Sequence, residues 1–109
     1  MPDETIFDAR SPFDYSVTLR KLTWEDHTAR RPEIADQVQN VELCITDPQL
    51  VVDRGDGRIH FYRWGHGQGK TSNCYLHVLV RQRGSEHVVA TVWFTPAIEE
   101  GQILWFEKP

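Results

Sequence analysis

Pro48 divides the chain into two parts with different periodicities, and this division constrains the fold more than any other feature. Ahead of it, Ile34, Val38, Val41 and Ile45 recur at helical spacing, with Leu43 and Cys44 alongside, which predicts an apolar stripe turned toward a core. Beyond it the pattern changes. The runs 50–53, 59–64, 74–81, 87–95 and 103–106 are short and rich in β-branched and aromatic residues, and the longer ones alternate in polarity as strands do. Turns around Gly55, Asp56 and Gly57, and around Gly84 and Ser85, are too brief for parallel crossovers and predict antiparallel hairpins.

The first third is less regular. Residues 1–13 lack periodicity and are expected to form a flexible arm. Val17 and Leu19 share one side of a short strand over 15–20. A helix is expected from Thr23, with Asp26 completing a variant capping box, and Pro32 breaks it before the second helix. The class is therefore α+β, with two N-terminal helices packed on one face of a four- to five-stranded antiparallel sheet. Residues 14–109 form one domain.

A chain of 109 residues supports a single modest core. Its net charge of −4 argues mildly against a nucleic-acid partner until the distribution is considered. Between Arg54 and Arg83 six basic residues face the single acid Asp56, so this segment carries +5 and the remainder −9. A cationic patch on an acidic body is one reading; arginines that simply solvate strands is the other. The apolar runs are too short to span a bilayer, and the acidic start from Met1 lacks the pattern of a secretory leader. Cys44 and Cys74 are expected as free thiols, and the cytoplasm is the expected compartment, with no membrane association.

Alternation sorts the later strands. Leu76, Val78 and Val80, with Val88, Ala90, Val92 and Phe94, are expected beneath the helices, leaving Tyr75, His77 and Arg81 beside Val89, Thr91 and Trp93 on the open face. His77 and Thr91 are candidates for acid–base and hydroxyl roles there, and Arg81 for phosphate binding. The alternatives are a water-satisfied strand histidine and an ordinary strand threonine. Tyr62 could stack a base and Arg63 pair with a phosphate, or Tyr62 could pack against Trp64 or a neighbouring strand. Four-residue spacing puts His27 and Arg31 on one helix face, with Arg30 adjacent. That histidine is either a base or a tether.

Three other patterns lead nowhere. Gly69, Lys70 and Thr71 imitate the end of a P-loop, but Trp64 stands where its first glycine belongs and a strand follows. Arg54-Gly55-Asp56 is read as a hairpin turn. Cys74 and His77 fall on opposite faces of a strand, which disfavours zinc. No metal or cofactor is expected.

The order of Val17, Thr18 and Leu19, then Trp24, His27, Pro32-Glu33, Asp47-Pro48, Phe61-Tyr62-Arg63, Val89-Ala90-Thr91 and Gly101 to Trp105 resembles phage-type nucleases of the barnase–EndoU–colicin–RelE fold. The similarity covers roughly residues 15–106. It implies an RNA endonuclease that needs no metal, in which a base deprotonates the ribose 2′-hydroxyl and arginine or lysine stabilises the phosphate. Carried over, His27 is the acid–base group, Thr91 the strand hydroxyl, and Arg63 a phosphate ligand supported by Arg30 or Arg31. The implied partners are RNA and a cognate antitoxin or immunity protein. Arg31 stands where the family's turn usually has a second histidine, which leaves an inactive module binding RNA or protein as the alternative.

Overall fold

The computed structural model describes residues 4–106. The expected arm and domain extend beyond these limits at 1–3 and 107–109, which lie outside the described residues. Strands β1 (Thr5–Arg10) and β2 (Ser16–Arg20) precede helix α1 (Lys21–Arg30), a 3-10 turn at Pro32–Ile34 and helix α2 (Val38–Thr46). Then come β3 (Leu50–Asp53), β4 (Arg58–Trp64), a 3-10 turn at Gly69–Thr71, β5 (Tyr75–Arg83), β6 (Glu86–Thr95) and β7 (Gln102–Phe106).

The described strands form one seven-stranded sheet in the order β1-β2-β6-β5-β4-β3-β7. Every pairing is antiparallel except β2 with β6, which is parallel. The α+β class holds, but the expected four- to five-stranded antiparallel sheet is corrected to a larger, mixed one. One added strand is β1, in the segment expected to be an arm. Its inward-facing apolar residues are only Phe7 and Ala9, which lie opposite Leu19 and Val17 and are buried with them.

The helices do not share one face as expected. α2 turns Val41, Cys44 and Ile45 into a core with Val51, Phe61, Leu76 and Val78. α1 instead straddles the rim beside β6. Its Trp24 enters that core, while Thr23 and Arg31 reach residues on the sheet's other face. The cause is the brevity of the β2–β6 pairing, which covers only Val17↔His87 and Thr18↔Val88. Past Val88, α1 replaces β2 alongside β6. The helix starts at Lys21, ahead of the expected Thr23. No side chain caps it; the Lys21 amide donates to the Glu4 carbonyl at 2.8 Å, and the two side chains lie 3.7 Å apart as an ion pair.

β6 contains a bulge. Leu79 faces Thr91 but Val80 faces Val89, so Ala90 has no counterpart. The extra residue reverses the faces on its far side. Val89, expected on the open face, is buried, and Val88, expected in the core, is half-buried opposite Arg81.

The sheet also coils around α2. Phe13, between β1 and β2, meets Phe61 at 6.3 Å and Trp105 of β7 at 6.4 Å, both edge to face. Opposite ends of the strand order thus touch. The crossover from β6 to β7 passes over the other face: the Glu99 amide donates to the Tyr62 hydroxyl at 2.8 Å, and Arg54 bridges Glu99 at 2.8 Å. Among the described residues no helix is long and apolar enough to cross a membrane.

Candidate functional site

Register converts the sequence into rows of side chains on the face away from α2. Arg58 lies opposite Arg81, and Arg81 opposite Val88. The next rows are His60, Leu79 and Thr91, then Tyr62, His77 and Trp93, then Trp64, Tyr75 and Thr95. Cross-strand neighbours point to the same side, so this face is cationic at one end and aromatic at the other.

At the cationic end lies an open cleft of about 510 Å³. Arg58, Leu79, Arg81, Arg83, Val88 and Thr91 line it from the sheet, Arg20 and Thr23 from the start of α1, and Val89, Ala90 and Glu86 complete it. Glu86 is engaged by Arg20 at 3.6 Å. Among the described residues Arg58, Arg81 and Arg83 have no acidic partner within ion-pair distance.

α1 gives the cleft its second wall. Thr23 and His27 stand four residues apart on one side of the helix, and Arg31 follows as its C-cap with non-helical backbone. Thr23 shares the cleft with Thr91, and the Arg31 guanidinium lies 5.9 Å from the centre of the Trp93 ring. His27, half-buried, stands between these two contacts with β6. Its Nδ1 is 2.8 Å from the Thr23 carbonyl, which can only accept, so Nδ1 carries the proton and Nε2 offers a lone pair in the neutral ring. Arg30 is exposed and paired with Asp26 at 3.3 Å.

His77 sits elsewhere. It is 1 % exposed, stacked on Tyr62 at 4.3 Å and tilted against Trp93 at 3.9 Å. Its Nε2 is 2.8 Å from Nδ1 of the buried His60, a contact that requires one nitrogen to donate and the other to accept. Desolvation, and then the neighbouring His60, push the His77 pKa down to about 3. Burial likewise lowers that of His60, with Glu99 opposing it and Arg54 assisting. Both rings are neutral at physiological pH. The far nitrogens, His60 Nε2 and His77 Nδ1, have no hydrogen-bond partner among the described residues.

Tyr62 is fully buried and its hydroxyl accepts the Glu99 amide, so it presents no ring face to a base. Arg63 lies on the α2 side of the sheet. It donates to the Asp47 carbonyl, approaches the Asp47 carboxylate at 3.3 Å and donates to His66 Nε2 at 3.0 Å, tying down the end of α2. Of the expected site residues the cleft thus takes in Thr91 of β6 and Arg81 of β5; His27 and Arg31 stand beside it, on α1 and just after its end, and Arg30, Arg63, Tyr62 and His77 lie apart from it. Sequence reasoning missed Thr23, Arg58 and Arg83. The surplus of arginine over 54–83 was visible, but only the register sets Arg58 against Arg81.

No group of three or more potential metal ligands occurs among the described residues. Cys44 and Cys74 are free; Cys44 is buried, donates weakly to the Leu76 carbonyl, and has its thiol pKa pushed well up by desolvation. Gly69–Thr71 is a 3-10 turn leading into β5, so the helix a P-loop requires is lacking there. No family model, no curated protein and no solved structure matches the chain.

Proposed function

We propose that this protein is a cytoplasmic ribonuclease that works without metal, with its site where α1 meets β6. The observation that carries the reading is α1 laid along β6, with Thr23 sharing a cleft with Thr91 and Arg31 over Trp93, next to Arg58, Arg81 and Arg83, which have no acid within ion-pair distance among the described residues. In this reading the neutral Nε2 of His27 removes the proton from a ribose 2′-hydroxyl. The freed oxygen attacks the adjacent phosphorus, the 5′-oxygen leaves with a proton from water, and a 2′,3′-cyclic phosphate remains. Arg31 stabilises the charge that gathers on the phosphate oxygens, and Thr91 donates a hydrogen bond to it. A toxin restrained by a cognate antitoxin or immunity protein fits such an activity.

The test is cleavage of total cellular RNA in chelator-containing buffer. His27→Ala is expected to lower the rate by a factor of about 100 or more, the usual contribution of a general base. It is also expected to restore growth to cells expressing the protein alone. Intact RNA with the purified wild-type chain overturns the enzymatic reading.

A second reading, a non-catalytic RNA-binding module, is favoured by one observation. His77, the other candidate imidazole, is sealed against His60, so two-histidine acid–base chemistry lacks its second group. Retention of RNA without any cleavage product is its expected signature.

A further inference from the structure

We infer that Arg58, Arg81 and Arg83 form a cradle for consecutive phosphates of an extended single strand of RNA, beyond the bond to be cut. The inference rests on the RNA reading above and adds to it a second, non-reacting contact region.

Arg58 and Arg81 are direct cross-strand neighbours on one face, an arrangement in which like charges destabilise a sheet. Arg83 follows two residues later on the same side of β5. None of the three has an acid within ion-pair distance among the described residues, and the one acid in the cleft, Glu86, is turned to Arg20. Acids are not scarce: the chain has 16 against 12 basic residues. Three guanidiniums in one cleft with no ion pair among the described residues, only Arg83 having an acid (Glu86) across from it in register, are what a polyanion would neutralise.

Spacing narrows the ligand. Two residues of strand separate Arg81 from Arg83 by roughly 7 Å, too far for one phosphate to satisfy both guanidiniums closely but suited to successive phosphates of an extended strand. The flat fork of arginine matches phosphate oxygens pairwise. Beside the guanidiniums, Thr23 of α1 and Thr91 of β6 bring hydroxyls to the cleft wall, where sugar hydroxyls would lie. Leu79, Val88 and Ala90 supply an apolar floor.

Binding is measured by fluorescence anisotropy on the full chain with 2′-O-methyl RNA oligonucleotides, which bind but lack the nucleophile. Oligonucleotides with one to four phosphates are compared across a salt series. Affinity is expected to climb steeply up to the third phosphate and little thereafter. Each phosphate contact on a single strand contributes about 0.7 to the slope of log K against log salt, so the double variant Arg81→Gln/Arg83→Gln should flatten it by about 1.4. Arg10→Gln, on the exposed β1 edge, should leave it unchanged. Arg58→Gln should raise the melting temperature while weakening binding several-fold, because it relieves the cross-strand repulsion. An unchanged slope in the double variant, with the fold intact by circular dichroism, overturns the cradle. So does polyglutamate of equal charge binding as tightly and losing affinity in the same variants, which would assign the cleft to an acidic protein. Uncut natural RNA alongside the predicted slope change would sink the ribonuclease and keep the cradle; cleavage with an unchanged slope would do the reverse.

Discussion

His60 and His77 share one proton-bearing contact in a buried layer between Tyr62, Trp93 and the β6–β7 crossover. With the His77 pKa held near 3 against an ordinary 6.5, the unfolded chain takes up a proton below about pH 6.5 that the native chain refuses. Stability is therefore complete above about pH 6.5 and declines on acidification toward pH 3, by at most about 1.4 kcal/mol for each pH unit from His77. Urea unfolding at pH 7.5, 6, 5 and 4 measures this slope. A His77→Leu variant should show a shallower one, and should lose about 1–3 kcal/mol at pH 7.5 because His60 Nδ1 is left without its partner. A wild-type curve that stays flat from pH 7 to pH 4.5 would refute the neutral buried pair. Nothing in local sequence announced this pair: both residues alternate as ordinary polar strand positions, and only the strand register and the crossover bring them together and seal them. The placement of His27 on a helix was legible, but that of Arg31 beside it was not, because the helix ends at Arg30 and Arg31 leaves it with non-helical backbone.

At the level of elements, the join between the β6–β7 crossover and β7 depends on the absence of one side chain. A Cβ on Gly101 would stand 2.6 Å from the Asp53 carbonyl oxygen and 2.9 Å from a Val52 methyl, and the first belongs to the backbone of β3. Gly101→Ala should cost about 1–3 kcal/mol through overpacking. In a domain of this size each kcal/mol lowers the melting temperature by about 4–8 °C, so differential scanning fluorimetry resolves the loss. Ile103→Ala, at a side chain 61 % exposed, serves as a control and should change little. The existence of β3 to β7 was readable from their runs and turns. The faces of β6 were only half readable, because the unpaired Ala90 reverses the alternation and a one-residue insertion leaves no mark on composition. The placement of Thr91 on the open face is unaffected, since it lies on the side of the bulge where alternation with Val92 and Trp93 continues.

Across the whole molecule, contacts distant in sequence close the coiled sheet, and these were the least legible of all. The parallel β2–β6 pairing joins segments about seventy residues apart, and nothing in either strand specifies the other. Phe13 is the visible clasp, touching Phe61 and Trp105 from a segment whose aperiodic sequence suggested an arm. Phe13→Ala should cost about 2 kcal/mol, below the value for a fully buried ring because this one is half-buried. Hydrogen exchange provides the sharper check. Amides of the β1–β2 hairpin and of β7 should quicken together, although they occupy opposite ends of the strand order. Acceleration confined to the hairpin would mean that the two rims are stabilised independently.

The bond from the Lys21 amide to the Glu4 carbonyl has a practical corollary. An affinity tag fused ahead of residue 4 would pull on the first turn of the helix that carries His27, so a histidine tag there could blunt any enzymatic assay without unfolding the chain. Placing the tag at the other terminus avoids that leverage, and comparing the two fusions would reveal how tightly the amino end governs the imidazole.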